Sequence, residues 1–178
     1  MIAVPDGWID KARELTATVG EPTFVIGGDS RQASVANGLE AVSSERVIVQ
    51  DAARPFVTAD LVERVLGALG DADAAIAAVP LTDTLKRGVR GPGDAVIVQA
   101  TVDRESLWRA QTPGAFATEA LRAAHAKADA EGFVGTDESQ LIERYGGRIV
   151  IVTGSPDNIK LTYPEDFALA EAIVEARS

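Results

Sequence analysis

Cysteine is absent from the 178 residues, which excludes disulfides, thiolate metal sites and a cysteine nucleophile, and fits a reducing interior. Histidine is nearly absent. The one present, His125, stands in Ala123-Ala124-His125-Ala126-Lys127 and offers no Ser-His-Asp set. With no second ligand at metal spacing, it reads as a surface helix residue. Aromatics are few, and Trp8 and Trp108 read as packing residues rather than nucleobase platforms. Basic charge is sparse too: 17 Lys and Arg stand singly against 27 acidic residues, leaving a net charge of −10. A nucleic-acid backbone would be repelled, whereas a few convergent cations can still hold a small phosphorylated ligand. No apolar run approaches the roughly 18 to 20 residues of a membrane span, and Met1-Ile2-Ala3-Val4-Pro5 is not signal-like. A cytoplasmic protein is expected.

What is present is a soluble globular composition in a length suited to one domain, residues 1–178. Short β-branched runs alternate with alanine-rich amphipathic stretches, the rhythm of an α/β sheet with helical crossovers. Strands are expected at 2–4, 23–26, 46–50 (buried), 74–80 and 148–153. Helices are expected at 7–18 (Ile9, Ala12 and Leu15 on one side), 32–41, 58–69 with Thr58 as N-cap, 117–130, 138–145 and 164–176, the last with Pro164 in its first turn. Residues 82–102 alternate around Gly88, Gly91, Pro92 and Gly93, which predicts a hairpin arm projecting from the body.

Four strings can carry chemistry. Gly27-Gly28-Asp29-Ser30-Arg31-Gln32-Ala33-Ser34 joins a strand to a helix, where an open sheet presents ligands. Its glycines allow close backbone approach and Ser34 can bond a base or sugar; the alternative is a tight turn capped by Asp29 or Ser30. Asp51-Ala52-Ala53-Arg54-Pro55-Phe56 follows a strand. Asp51 is placed to hold Mg²⁺ beside phosphates and Arg54 to clamp one, unless they merely cap the turn and face solvent. Asp83-Thr84-Leu85-Lys86 and Thr101-Val102-Asp103-Arg104 face each other across the arm, and Gln111-Thr112-Pro113 follows. Arg104 and Thr112 suit a phosphate monoester, although arm charges can also simply discourage edge pairing. In Asp157-Asn158-Ile159-Lys160-Leu161-Thr162, a lone Lys in an apolar strand context implies an anion nearby, whether ligand, Asp51 or a helix Glu. The pair Asp137-Glu138 reads most simply as favourable charge at a helix N-terminus.

Together, and in this order, these strings resemble the 2-C-methyl-D-erythritol 4-phosphate cytidylyltransferases of the non-mevalonate isoprenoid pathway. Thr136-Asp137-Glu138 and Pro164-Glu165-Asp166 belong to the same likeness, which runs through essentially the whole chain. The resemblance implies a Rossmann-like nucleotidyltransferase sheet, mostly parallel, and a homodimer whose arms, about 82–102, embrace. It implies transfer of a cytidylyl group from CTP to the sugar-alcohol phosphate with Mg²⁺ present, by positioning and charge neutralisation rather than by a general base. By position, Gly28, Asp29, Arg31, Ser34 and Ala52 would bind the nucleotide. Asp51, Arg54, Thr84, Arg104, Thr112 and Lys160 would bind the acceptor. Arg104, Lys160 and Asp51 would be catalytic, with Asp51 near the metal.

That family opens with a strand and an Ala-Ala-Gly-x-Gly-x-Arg loop followed by Pro-Lys, which hold the triphosphate. The present sequence begins at the family's second strand and reads as an N-terminally incomplete domain. On that reading the polypeptide alone is expected to be poorly soluble and unable to turn over CTP. The competing readings are a ribitol-5-phosphate cytidylyltransferase, sharing the Asp-Ala-x-Arg-Pro string, and a non-catalytic remnant that binds a nucleotide or a partner subunit.

Overall fold

A computed structural model describes residues 1–177. The elements in chain order are β1 (Ile2–Val4), α1 (Ile9–Thr16), β2 (Phe24–Ile26), α2 (Arg31–Glu40), β3 (Arg46–Val49), α3 (Ala59–Leu69) and β4 (Ala74–Pro80). They continue as β5 (Leu85–Arg90), β6 (Val96–Val102), β7 (Trp108–Ala117), α4 (Thr118–Glu131), α5 (Glu138–Arg144), β8 (Ile149–Thr153) and α6 (Asp166–Arg177).

The central sheet has the order β3-β7-β4-β8, with β3, β4 and β8 running parallel and β7 antiparallel between two of them. β1 and β2 form a separate parallel pair. β4 is rich in alanine, and its alternation sorts the alanines between two layers. Ala74 joins Phe116 of β7 against Leu39, Leu121, Ala124, Leu141 and Ile142 of α2, α4 and α5. Ala75 and Ala77 turn to the opposite face, against Leu61, Val65 and Leu69 of α3. Alanines on both faces let helices approach the sheet closely while their own Leu and Val side chains fill the space.

Local chemistry sets the element ends. Ser30 Oγ accepts from Ala33 N–H at 3.0 Å and caps α2, and Thr58 Oγ1 accepts from Leu61 N–H at 3.2 Å and caps α3. α4 stops at Gly132, whose φ of +63° is a left-handed turn that other residues adopt at a cost.

Several expectations need correction. The sequence predicts no strand at 108–117, yet β7 lies there and joins β3 to β4. Pro164 lies two residues before α6 rather than in its first turn. β3 is half-buried, with Arg46 exposed, because it is an edge strand of the sheet. Trp8 and Trp108 are 55% and 40% exposed and so only partly packed, and α1 buries none of its residues. His125 is buried against α2 instead of lying on the surface, since the α4 face that carries it points into the helical layer. The arm is as expected: β5 and β6 pair antiparallel and stand out from the body with nearly every side chain exposed. No helix among the described residues is long and apolar enough to cross a membrane.

Candidate active site

β1 and β3 face each other across an open groove of about 600 Å³, floored by apolar residues such as Val35, Leu39, Val47 and Val49. Among its lining residues the charged side chains are those of Arg31, Asp51 and Lys160. Each follows the carboxyl end of a different parallel strand, β2, β3 and β8, which is where open α/β sheets bind ligands.

Asp51 is the centre of the cluster. Its Oδ1 accepts from Arg31 Nε at 2.9 Å, and its Oδ2 lies 2.9 Å from Lys160 Nζ. Its backbone N–H donates to Thr112 Oγ1 at 3.0 Å, tying the turn to β7. Burial alone would raise the Asp51 carboxyl, but the Lys160 hydrogen bond and the Arg31 charge outweigh it and hold it below the usual aspartate value. Lys160 lies in the loop after β8 and not in a strand, and the anion its sequence context implied is Asp51. Leu161 N–H donates to Ala53 carbonyl at 2.8 Å, so this loop and the Asp51 turn are pinned together.

Arg31 has a second partner that the sequence did not reveal. Its Nη1 lies 2.7 Å from the carboxylate of Glu138, whose side chain is only 3% exposed. Burial opposes the guanidinium charge, yet the two carboxylates overcome it and raise the Arg31 pKa. In the other direction, burial pushes the Glu138 carboxyl up and Arg31 offsets this in part. A signal for Glu138 existed: residues 138, 141 and 142 share one side of a helix, and Leu141 and Ile142 are plainly apolar.

Other expected residues fall near the groove or away from it. Ser34 and Ala52 line it. Gly28 and Asp29 lie in the exposed turn leading to α2, where Ser34 Oγ accepts from Gly28 N–H at 3.1 Å. A Cβ at Gly28 would stand 2.4 Å from that of Ala33, so only glycine lets the turn lie this close to the helix. Arg54 faces inward, donating from Nη1 to Asn158 carbonyl at 2.8 Å, and thus buttresses the Lys160 loop rather than lining the groove. Asn158, part of the Lys160 string but given no role by the sequence, is fully buried and donates to Thr112 carbonyl at 2.8 Å. Thr112 sits where β7 bulges: Ile76 pairs with Gly114 and Ala78 with Ala110, so Ala77 faces all of 111–113. Thr84 and Arg104 are exposed on the arm outside the groove, and Arg104 donates to the Thr82 carbonyl. Within one chain, then, Asp51, Thr112 and Lys160 come together and Arg104 does not join them.

The chain is similar to known proteins over nearly its whole length. Residues 1–176 match the family model of 2-C-methyl-D-erythritol 4-phosphate cytidylyltransferase. The protein of that name from Bacillus licheniformis is 45% identical over 154 residues, 86% of this chain and 64% of its own length. That from Symbiobacterium thermophilum is 44% identical over 177 residues, 98% of this chain and 73% of its own. The crystal structure of 2-C-methyl-D-erythritol 4-phosphate cytidylyltransferase from Thermus thermophilus superposes with a TM-score of 0.80 at 38% identity, over 97% of this chain and 80% of that one. The chain therefore spans about two thirds of the length of curated relatives such as the first. This chain belongs to the 2-C-methyl-D-erythritol 4-phosphate cytidylyltransferase family.

Proposed function

We propose that this chain carries the site at which CTP gives its cytidylyl group to 2-C-methyl-D-erythritol 4-phosphate. The observation that supports this most directly is the convergence of Arg31, Asp51 and Lys160 at one end of an apolar groove. A nucleotide has the same two-part chemistry, a flat and weakly polar base joined to a polyanion. In the reaction an oxygen of the acceptor phosphate forms a bond to the α-phosphorus of CTP, and the bond from that phosphorus to the bridging oxygen breaks, releasing pyrophosphate. The acceptor is already anionic near neutral pH, so the protein's task is alignment and neutralisation.

In this reading Gly28, Asp29, Arg31, Ser34 and Ala52 receive the cytidine, and Lys160 neutralises the phosphates and positions the attacking group. Thr112 serves the acceptor from the β7 side, and Arg54 serves it indirectly by bracing the Lys160 loop through Asn158. Thr84 and Arg104, carried on the arm, serve it across a homodimer in the cytoplasm. The exposed Val96, Ile97 and Val98 of β6 support such pairing of arms. Among the described residues no three His, Cys, Asp or Glu gather into a metal cage. Asp51 alone suits Mg²⁺, which commonly takes one carboxylate with phosphate oxygens and water. When bound, Mg²⁺ would screen the charge of the triphosphate.

Pyrophosphate release with CTP and either acceptor tests the proposal. Release that requires 2-C-methyl-D-erythritol 4-phosphate and falls about 10²- to 10³-fold in Lys160→Met, the scale of losing one electrostatic donor, would support the proposal and overturn the expectation that this polypeptide alone cannot turn over CTP. Faster use of ribitol 5-phosphate would reassign the acceptor. Calorimetric binding of CTP without any release would make the chain a nucleotide binder.

A further inference from the structure

Glu138 takes no part in the chemistry described so far, yet it is an expensive group in that place. Its side chain is 3% exposed and lies beyond the residues that line the groove. A buried carboxylate needs a compensating partner, and a neutral side chain of the same shape would fill the space more cheaply. The need for a helix cap does not explain it. Asp137 already meets that need, its Oδ1 accepting from Gln140 N–H at 2.8 Å.

What Glu138 touches is Arg31, and Arg31 touches Asp51. The groups alternate in sign from α5 to the loop after β8: Glu138, Arg31, Asp51, Lys160, joined by contacts of 2.7, 2.9 and 2.9 Å. The guanidinium is planar and rigid, so fixing its Nη1 edge also fixes the direction of its Nε–H. We propose that Glu138 is a positioning residue that holds Arg31 against Asp51 and so sets the carboxylate and, through it, Lys160 at the mouth of the groove. This role rests on the cytidylyl-transfer reading for its kinetic consequence, but not for its structural one.

Two measurements separate the two. In the kinetic arm, Glu138→Gln keeps shape and removes charge. A misplacement of about 1 Å at a reacting centre can cost about a hundredfold, and a drop of ten- to a hundredfold in kcat, with KM for CTP changed less, is expected. The double variant Glu138→Gln with Arg31→Met should be no slower than Arg31→Met alone, because Glu138 acts only through Arg31. Multiplied losses in the double variant would show a general structural role and overturn the proposal. In the second arm, the Arg31 Nε–H signal in ¹⁵N NMR should be sharp and slow to exchange in the unaltered chain and should broaden in Glu138→Gln. A rapidly exchanging Arg31 signal in the unaltered chain would overturn the proposal without any variant, and an equally protected one in folded Glu138→Gln would do the same. Absence of CTP turnover by the unaltered chain counts against the reaction alone, since the NMR arm still decides the role of Glu138.

Discussion

At His125, burial and charge act in the same direction. The ring is 8% exposed, its Nε2 has no hydrogen-bond partner among the described residues, and after burial the Arg31 charge disfavours the imidazolium further. Glu40 and Arg122 line the small cavity beside it. The folded pKa is thus lowered, while the unfolded value stays near about 6.5. Between the two, the unfolded chain binds more protons, so this contribution to stability is complete above about pH 6.5 and falls away as pH drops toward the lowered value. The loss is at most about 1.4 kcal/mol per pH unit. Urea midpoints recorded from pH 7 to pH 5 should decline in the unaltered chain and decline less in His125→Leu. Equal slopes would show that another group titrates. Sequence alone could not place this ring, since the helix period gives faces but does not say that α2 covers this one.

At the scale of elements, the layer formed by α2, α4 and α5 depends on Leu121, which is fully buried beside Phe116 and Leu141. Leu121→Ala should cost about 2–5 kcal/mol in a denaturant titration, the range for a large core side chain that leaves a cavity. Leu85→Ala on the exposed arm should change stability by less than about 0.5 kcal/mol. A Leu121 loss no larger than that of Leu85 would mean that the layer collapses around the gap. Hairpin and helices were legible because their turn residues, caps and apolar periods agree with one another. β7 was not, because Gln111, Thr112, Pro113 and Gly114 interrupt the alternation by which a central strand is recognised. The interruption is the bulge that brings Thr112 to Asp51 and Gln111 to Ser155 and Asn158.

For the whole molecule, the arm carries the prediction. Val96 and Val98 lie on one side of β6 and are 68% and 58% exposed, an apolar face on an element that projects from the body. If arms pair, sedimentation equilibrium should give about twice the chain mass of 18.6 kDa, and Val96→Lys with Val98→Lys should return it to the single-chain value. The same variant should leave the core unfolding transition in place, since among the described residues β5 and β6 form a two-stranded sheet separate from the central one. An unaltered chain of single mass at concentrations well above micromolar would rule the arm out as an interface.

The amino-acid sequence by itself determined the family and most of the element order, because ordered strings, caps and apolar periods are local properties. It also supplied the cations and the carboxylate of the groove, since Arg31, Asp51 and Lys160 each belong to a short string that stands out within its own segment. Only the tertiary structure decided which charges meet. Glu138 reaches Arg31 across 107 positions, and Arg54 turns inward to Asn158 across 104. Those choices depend on how layers pack and on where water is excluded, and neither quantity exists until distant segments share one core.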